Sequence, residues 1–234
     1  MSFSKKTTSA LTACLMVSVF GLAACKSTPR TLRAANLSYA APVACTPAIR
    51  FSDPVKRTTD EKKMKKEMRF RTIELKSDMA DSDVPCLEKT AADNLPYQVF
   101  EIPKGIDGRV VSAGSKLDTT VIFAGDVSTH DANGQVVREF DQSEYRRLGT
   151  IYGVQFSPRA NETYVLIKVN PDLIGQREAT IETATATQQV YLPNATGSVS
   201  SGSNTVGIQK MYDRTYSYNG ETAVRTVFPK PKKK

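Results

Sequence analysis

The chain has no tryptophan, one histidine and four cysteines among 234 residues. Each shortage removes a class of chemistry. Without Trp, the best sugar-stacking side chain is missing. His130 alone cannot complete a zinc site with two spare thiols. No CxxC pair occurs, which removes the dithiol redox motif. No G-x-S-x-G nucleophile elbow and no internal repeat is found. The apolar stretch at 10–21 is shorter than the roughly 20 residues that a membrane-crossing helix needs.

That stretch has another meaning. Residues 1–9 carry Lys5 and Lys6 and no acid, the apolar run follows, and small residues Ala23 and Ala24 precede Cys25. This order is that of a secretory signal peptide. A buried core helix would explain neither the position nor the charge order. Leu22-Ala23-Ala24-Cys25 also resembles the bacterial lipobox. The resemblance implies that residues 1–24 are removed and that Cys25 carries lipid. Several acyl chains at about 0.8 kcal/mol per buried CH₂ hold a protein on a membrane where one chain binds only marginally. By the same resemblance, Lys26 after the cysteine points to the outer membrane, periplasmic face.

The formal charge of +8 is unevenly placed. Lys5 and Lys6 would leave with the signal. Lys230, Lys232, Lys233 and Lys234 form a basic tail, and the segment 56–71 holds eight basic against three acidic residues. What remains, the body of the chain, is slightly acidic. A nucleic-acid-binding protein would show a basic face on its fold, so no nucleic-acid partner is expected. With Cys14 in the signal and Cys25 acylated, Cys45 and Cys86 are left, and an exported chain is expected to pair them. Closing a loop of about 40 residues is worth roughly 4 kcal/mol by chain entropy.

Past Cys25, residues 25–58 show scattered Pro, Ala and Ser without a sustained period and read as a flexible tether. Residues 59–94 read as a short basic helix and a connector. Thr58-Thr59-Asp60-Glu61 fits a capping box before a helix from Asp60 to about Arg69, with Met64 and Met68 as an i, i+4 pair. Its lysines read as a solvated face; the sharper alternative is contact with anionic headgroups. Over 95–229 the pattern is short runs rich in Val, Ile, Thr, Tyr and Phe: 97–102, 109–113, 119–125, 135–140, 150–156, 163–169, 188–192, 206–211 and 222–228. Asn133-Gly134 and Asn219-Gly220 are hairpin-turn signals. The expected fold is mainly β, an antiparallel β-sandwich. Residues 194–204 read as a flexible polar loop, and 230–234 as a solvated tail that could also meet an anionic surface.

Few residues suggest chemistry. Ser128, His130 and Asp131 superficially resemble a triad, but such triads are gathered from distant parts of a chain. Ser128 and His130 can share a strand face, while Asp131 begins a turn, so His130 reads as a surface turn residue. No catalytic residue, metal site or cofactor is expected. Tyr212, Tyr216 and Tyr218 cluster before the Asn-Gly turn. They read as a cross-strand aromatic stripe, or alternatively as a binding surface.

The stretch from Val99 to about Val169, with "VFEIP", "TTVIFAGDVSTHDANGQVVREF" and "SEYRRLGTIYGVQFSPRANETYVLIKV", resembles the maltose-operon periplasmic protein family. The likeness covers about a third of the chain, and Gly125 stands where that family has Pro. It implies an exported β-rich protein associated with sugar uptake and without defined enzymatic activity. Three functions therefore stand as expectations: a non-catalytic lipoprotein binding a sugar or an envelope protein, a structural lipoprotein of an envelope or secretion assembly, and an envelope hydrolase.

Overall fold

The computed structural model describes residues 33–39, 45–58, 60–88, 94–104, 109–118, 120–193 and 199–229, and over 180–212 it describes the backbone. Among the described residues, one α-helix, α1 (Glu61–Phe70), precedes thirteen strands. Asp60 caps α1, its carboxylate accepting from Lys63 N. The cap is therefore Asp60 and not Thr58, whose hydroxyl accepts from Asp60 N instead. Lys62, Lys63 and Lys66 are exposed, as a solvated face requires.

The first sheet joins β1 (Thr72–Asp78), β13 (Glu221–Val227), β4 (Val110–Lys116), β9 (Ile151–Phe156) and β8 (Arg146–Leu148), in that order and all antiparallel. The second joins β2 (Cys86–Leu87), β3 (Leu95–Glu101), β10 (Tyr164–Val169), β6 (Gly125–His130) and β7 (Val136–Glu139), also antiparallel. Alternation along the strands turns Ile73, Val111, Val154 and Val224 of the first sheet toward Phe100, Val127, Val165 and Ile167 of the second, in one buried cluster. The fold is thus mainly β, with two sheets packed as a sandwich. The sandwich begins earlier than residue 95, because β1 and β2 arise from the segment expected to be a connector.

β4 and β9 meet at Gly114 and Gly153. A β-carbon at Gly153 would run into the Ala113 carbonyl oxygen, and one at Gly114 into that of Tyr152. Two glycines side by side let these backbones approach where a side chain would part them.

The described residues of the expected tether are part of the fold. Cys45 is bonded to Cys86, with Cα atoms 4.7 Å apart. Thr46 bridges Leu87 and Val55 bridges Phe100, both in parallel. Between these points Ile49 and Phe51 cover the outer face of the second sheet, where Tyr97, Val99 and Leu166 form a second buried cluster. β3 is consequently buried on both faces, which is why its sequence does not alternate. Further back, Arg33 forms a two-pronged pair with Asp78, at 2.9 and 2.6 Å.

The third sheet is not part of the sandwich pattern. β11 (Arg177–Pro193) and β12 (Val199–Ser217) form a hairpin in continuous antiparallel register from Arg177–Thr215 to Pro193–Val199. β12 pairs in parallel with β5 (Val121–Phe123) only over Thr215–Ser217. The polar run expected as a loop over 194–204 is strand from Val199 on.

Candidate functional site

The root of this hairpin is fixed firmly. Tyr216 is 6% exposed and sits in the main core. Arg214 is buried and its Nε donates to the Asp118 carbonyl. Ser217 Oγ donates to the Asn36 carbonyl at 3.0 Å and accepts from Asn36 N at 2.7 Å. Below Tyr216 lie Tyr152, with ring centroids 6.4 Å apart, and then Tyr145, 6.1 Å from Tyr152. Tyr145 Oη accepts from Val127 N at 2.7 Å and donates to the Gly125 carbonyl at 3.1 Å. Burial pushes the pKa of Tyr145 and Tyr216 well above the ordinary phenol value. Tyr152 is raised too, by burial first and by Glu178 of β11 among the smaller causes. These phenols are structural donors, kept protonated, and they tie β12 to the sandwich.

The expected tyrosine stripe is divided by this arrangement. Tyr216 is a core side chain and cannot serve as an exposed binding surface. The strand ends at Ser217, the chain bends, and Tyr218 leaves the face that Tyr216 occupies. Tyr218 stacks on Tyr39 (5.7 Å, 25°) beside a cleft of about 310 Å³ lined by Asn36, Met79, Ser82 and Asn219. The backbone of Tyr212 lies in the hairpin opposite Thr180, and its side chain lies outside the described residues. Cys25 and Lys230, Lys232, Lys233 and Lys234 also lie outside them.

Ser128 and His130 do meet. Ser128 Oγ is 2.9 Å from His130 Nε2, and His130 Nδ1 is 3.0 Å from the Gly134 carbonyl. A carbonyl only accepts, so Nδ1 carries the proton and Nε2 accepts from the serine hydroxyl. Asp131 takes no part: its Oδ1 accepts from Asn133 N and Gln135 N and closes the turn. His130 is not the surface turn residue expected from its neighbours. It is 4% exposed, beneath the Phe51 ring. The signal for this was a single aromatic in a segment without period. β6 is flanked by ladders to β10 and β7, and Val127 N beside Ser128 bonds to Tyr145 Oη.

Ser128 borders an open cleft of about 470 Å³ with Asp126, Lys168 and Asn170. Asp126 there accepts from Gln142 Nε2 (2.8 Å) and Asn170 Nδ2 (3.1 Å). Among the described residues no group of three or more His, Cys, Asp or Glu is placed to hold a metal ion. Among them, too, no helix is long and apolar enough to cross a membrane.

The opposite end of the second sheet holds a buried ion pair. Glu162 accepts from Arg138 Nε and Nη2 (both 2.6 Å), from Thr129 Oγ1 (2.7 Å) and from Arg159 N (2.7 Å). Burial alone would raise its pKa, but these donors outweigh it and hold the carboxyl below its usual range. The Arg138 guanidinium lies 4.8 Å from the Phe156 ring centroid. This cluster pins the start of β10 to β6 and β7.

No family model, no curated protein and no solved structure matches the chain.

Proposed function

We propose that the protein is a non-catalytic lipoprotein, anchored through Cys25 to the periplasmic face of the outer membrane, and that it is a structural subunit of an envelope assembly. The anchor rests on the order of charge, apolar run and lipobox-like residues over 1–25. The observation that carries the assembly reading is the β11–β12 hairpin. Its strands run 17 and 19 residues, yet only Thr215–Ser217 join a strand of the body. From Glu178 to Pro193 and from Val199 to Arg214, the outer edges pair with no other described strand. Unpaired edges are templates for strand addition, and such length serves nothing inside the sandwich.

The test shortens the hairpin without touching its root. Glu182 and Lys210 are register partners, so replacing 183–209 by Asn-Gly closes the strands with a two-residue turn. The detergent-extracted full-length protein is expected to run as an oligomer by native mass spectrometry, and the shortened one as a folded monomer. Oligomers of equal size from both would overturn the reading.

A sugar-binding role, in line with the resemblance to maltose-operon periplasmic proteins, is supported by the Tyr39–Tyr218 stack at its polar cleft. Calorimetric titration with maltooligosaccharides, compared with Tyr218→Ala, tests it; heat that is the same for both proteins counts against it.

A further inference from the structure

We infer that the β11–β12 hairpin is a bilayer-spanning element, and that copies of this chain join their hairpins edge to edge into a closed transmembrane β-barrel. The inference deepens the assembly reading and rests on it.

Charge is the first observation. Between Glu182 and Lys210 the sequence has no Asp, Glu, Lys, Arg or His, in a chain that is 24% charged. Glu182 and Lys210 face each other in register and bound the uncharged part on the side of the body. A charged residue deep in a bilayer is costly, and barrel strands exclude charge from the lipid face.

Register supplies the second. It places Ala184, Ala186, Val190, Leu192, Val206 and Ile208 on one face of the ribbon. The other face carries Thr183, Thr185, Thr187, Gln189, Ser201, Ser203, Thr205 and Gln209, with Tyr191, Pro193 and Val199 on it only at the end next to the turn. The polar members of the apolar face, Gln188, Asn204 and Ser200, are uncharged. One apolar and one polar face with period two is the pattern of strands between lipid and a water-filled lumen. A ribbon bathed in water on both sides has no need of it.

Length is the third. Thr183–Pro193 and Val199–Gln209 each match the about 9–11 residues with which a tilted strand crosses the hydrocarbon. Tyr212, just outside Lys210 and in register with the apolar face, falls where barrels place an aromatic girdle.

Closure follows from the edges. In hydrocarbon every backbone N–H and C=O needs a partner. A lone hairpin leaves both outer rows open, so it cannot cross alone. β11 of one copy pairing with β12 of the next satisfies both rows, and repetition of that head-to-tail contact closes a ring.

The experiment uses the full-length lipidated protein in phosphatidylethanolamine–phosphatidylglycerol vesicles. Single-cysteine variants at Ala184, Ala186 and Val206 are compared with ones at Thr185, Thr187 and Thr205, using a membrane-impermeant maleimide and the unsubstituted protein as blank. The threonine set is expected to label several-fold faster than the apolar set, with the two rates converging after denaturation in urea. Ala186→Glu should abolish release of a trapped dye, while Thr187→Glu, one position away on the other face, should retain it. Native mass spectrometry of the same samples separates the two readings. Oligomers whose two sets label alike would overturn the barrel and leave the assembly standing. Monomers would overturn both.

Discussion

The Phe51 ring lies 4.9 Å from the His130 ring, inclined by 46°. Phe51 also packs 5.4 Å from Tyr164. A β-carbon at Gly134 would come within 2.7 Å of the same ring, and Gly134 has φ +80°, so a side chain there is excluded twice over. The Gly134 carbonyl in turn accepts from His130 Nδ1. One aromatic thus closes the outer face of the second sheet and fixes the tautomer of the histidine through the turn it covers.

Phe51→Ala should therefore uncover His130 more than it unfolds the protein. Phe51 is half-buried, so the loss is set at about 2 kcal/mol, below the range for a fully buried Phe. Diethylpyrocarbonate should modify His130 slowly in the native protein and much faster in the variant. Equal rates would show that the segment from Cys45 to Val55 does not shield the histidine.

The Cys45–Cys86 bridge holds that segment at its start. Replacing both cysteines by serine should cost about 2–4 kcal/mol, the usual range for a loop of this size. The midpoint of urea denaturation measures it. Non-reducing peptide mapping of the native protein should show the linked pair, and free thiols at both positions would contradict the bridge.

Much of the sandwich was legible because its strands alternate. β10 repeats Val165, Ile167 and Val169 on one face, and β9 sets Ile151 apart from Tyr152, Val154 and Phe156; β13 is read from its Val and Thr content after the Asn219-Gly220 turn signal. β1 is hard to read from the sequence although Ile73 and Leu75 alternate with Glu74 and Lys76: it follows the basic helix with only Arg71 between, and its charges look like more of the same surface. Glu74 in fact pairs with Lys76 along β1 and with Arg225 of the neighbouring β13. β8 is only three residues, two of them arginine, and owes its place to its ladder with β9. The docking of Phe51 was illegible because isolated bridges carry no period. The hairpin was half seen. Thr- and Ala-rich strands lack the bulk by which buried strands are recognised, and the small polar residues after Val199 look like a loop until Thr183–Gln209 are set in register.

Acid should weaken the protein through Glu162. Its carboxyl titrates below the ordinary value because Arg138, Arg159 N and Thr129 bond to the ionised form. A depressed folded-state pKa contributes stability that is fully present above the unfolded value of about 4.3 and is lost as pH falls through the folded one. Glu162→Gln should remove that part of the acid limb. At neutral pH it should cost about 3 kcal/mol, because Arg138 is left without its anion against Phe156. Thermal midpoints of both proteins from pH 7 down to 3 decide it; parallel curves would mean that Glu162 does not set the acid limb.

Tyr216 and Tyr218 are two residues apart and should answer mutation differently. Tyr216 is buried at the root of the hairpin and touches Tyr152, so Tyr216→Ala opens a cavity in the main core. The expected loss is about 3–4 kcal/mol, as for large aromatics cut to alanine. Tyr216→Phe keeps the packing and removes one buried hydroxyl, so it should cost about 1 kcal/mol. Tyr218 is half-buried, beside Tyr39 at an open cleft. Tyr218→Ala should cost about 1 kcal/mol, from a partial stack with solvent on one side. Because β12 meets β5 only over Thr215–Ser217, Tyr216→Ala should also loosen the hairpin against the body. Hydrogen exchange should then quicken at Thr215 N and Tyr216 N, which bond to the carbonyls of Thr120 and Gln176, before it quickens in β10. If Tyr218→Ala proved as damaging as Tyr216→Ala, and exchange at the root did not lead, the hairpin would be held by the cleft and not by the core.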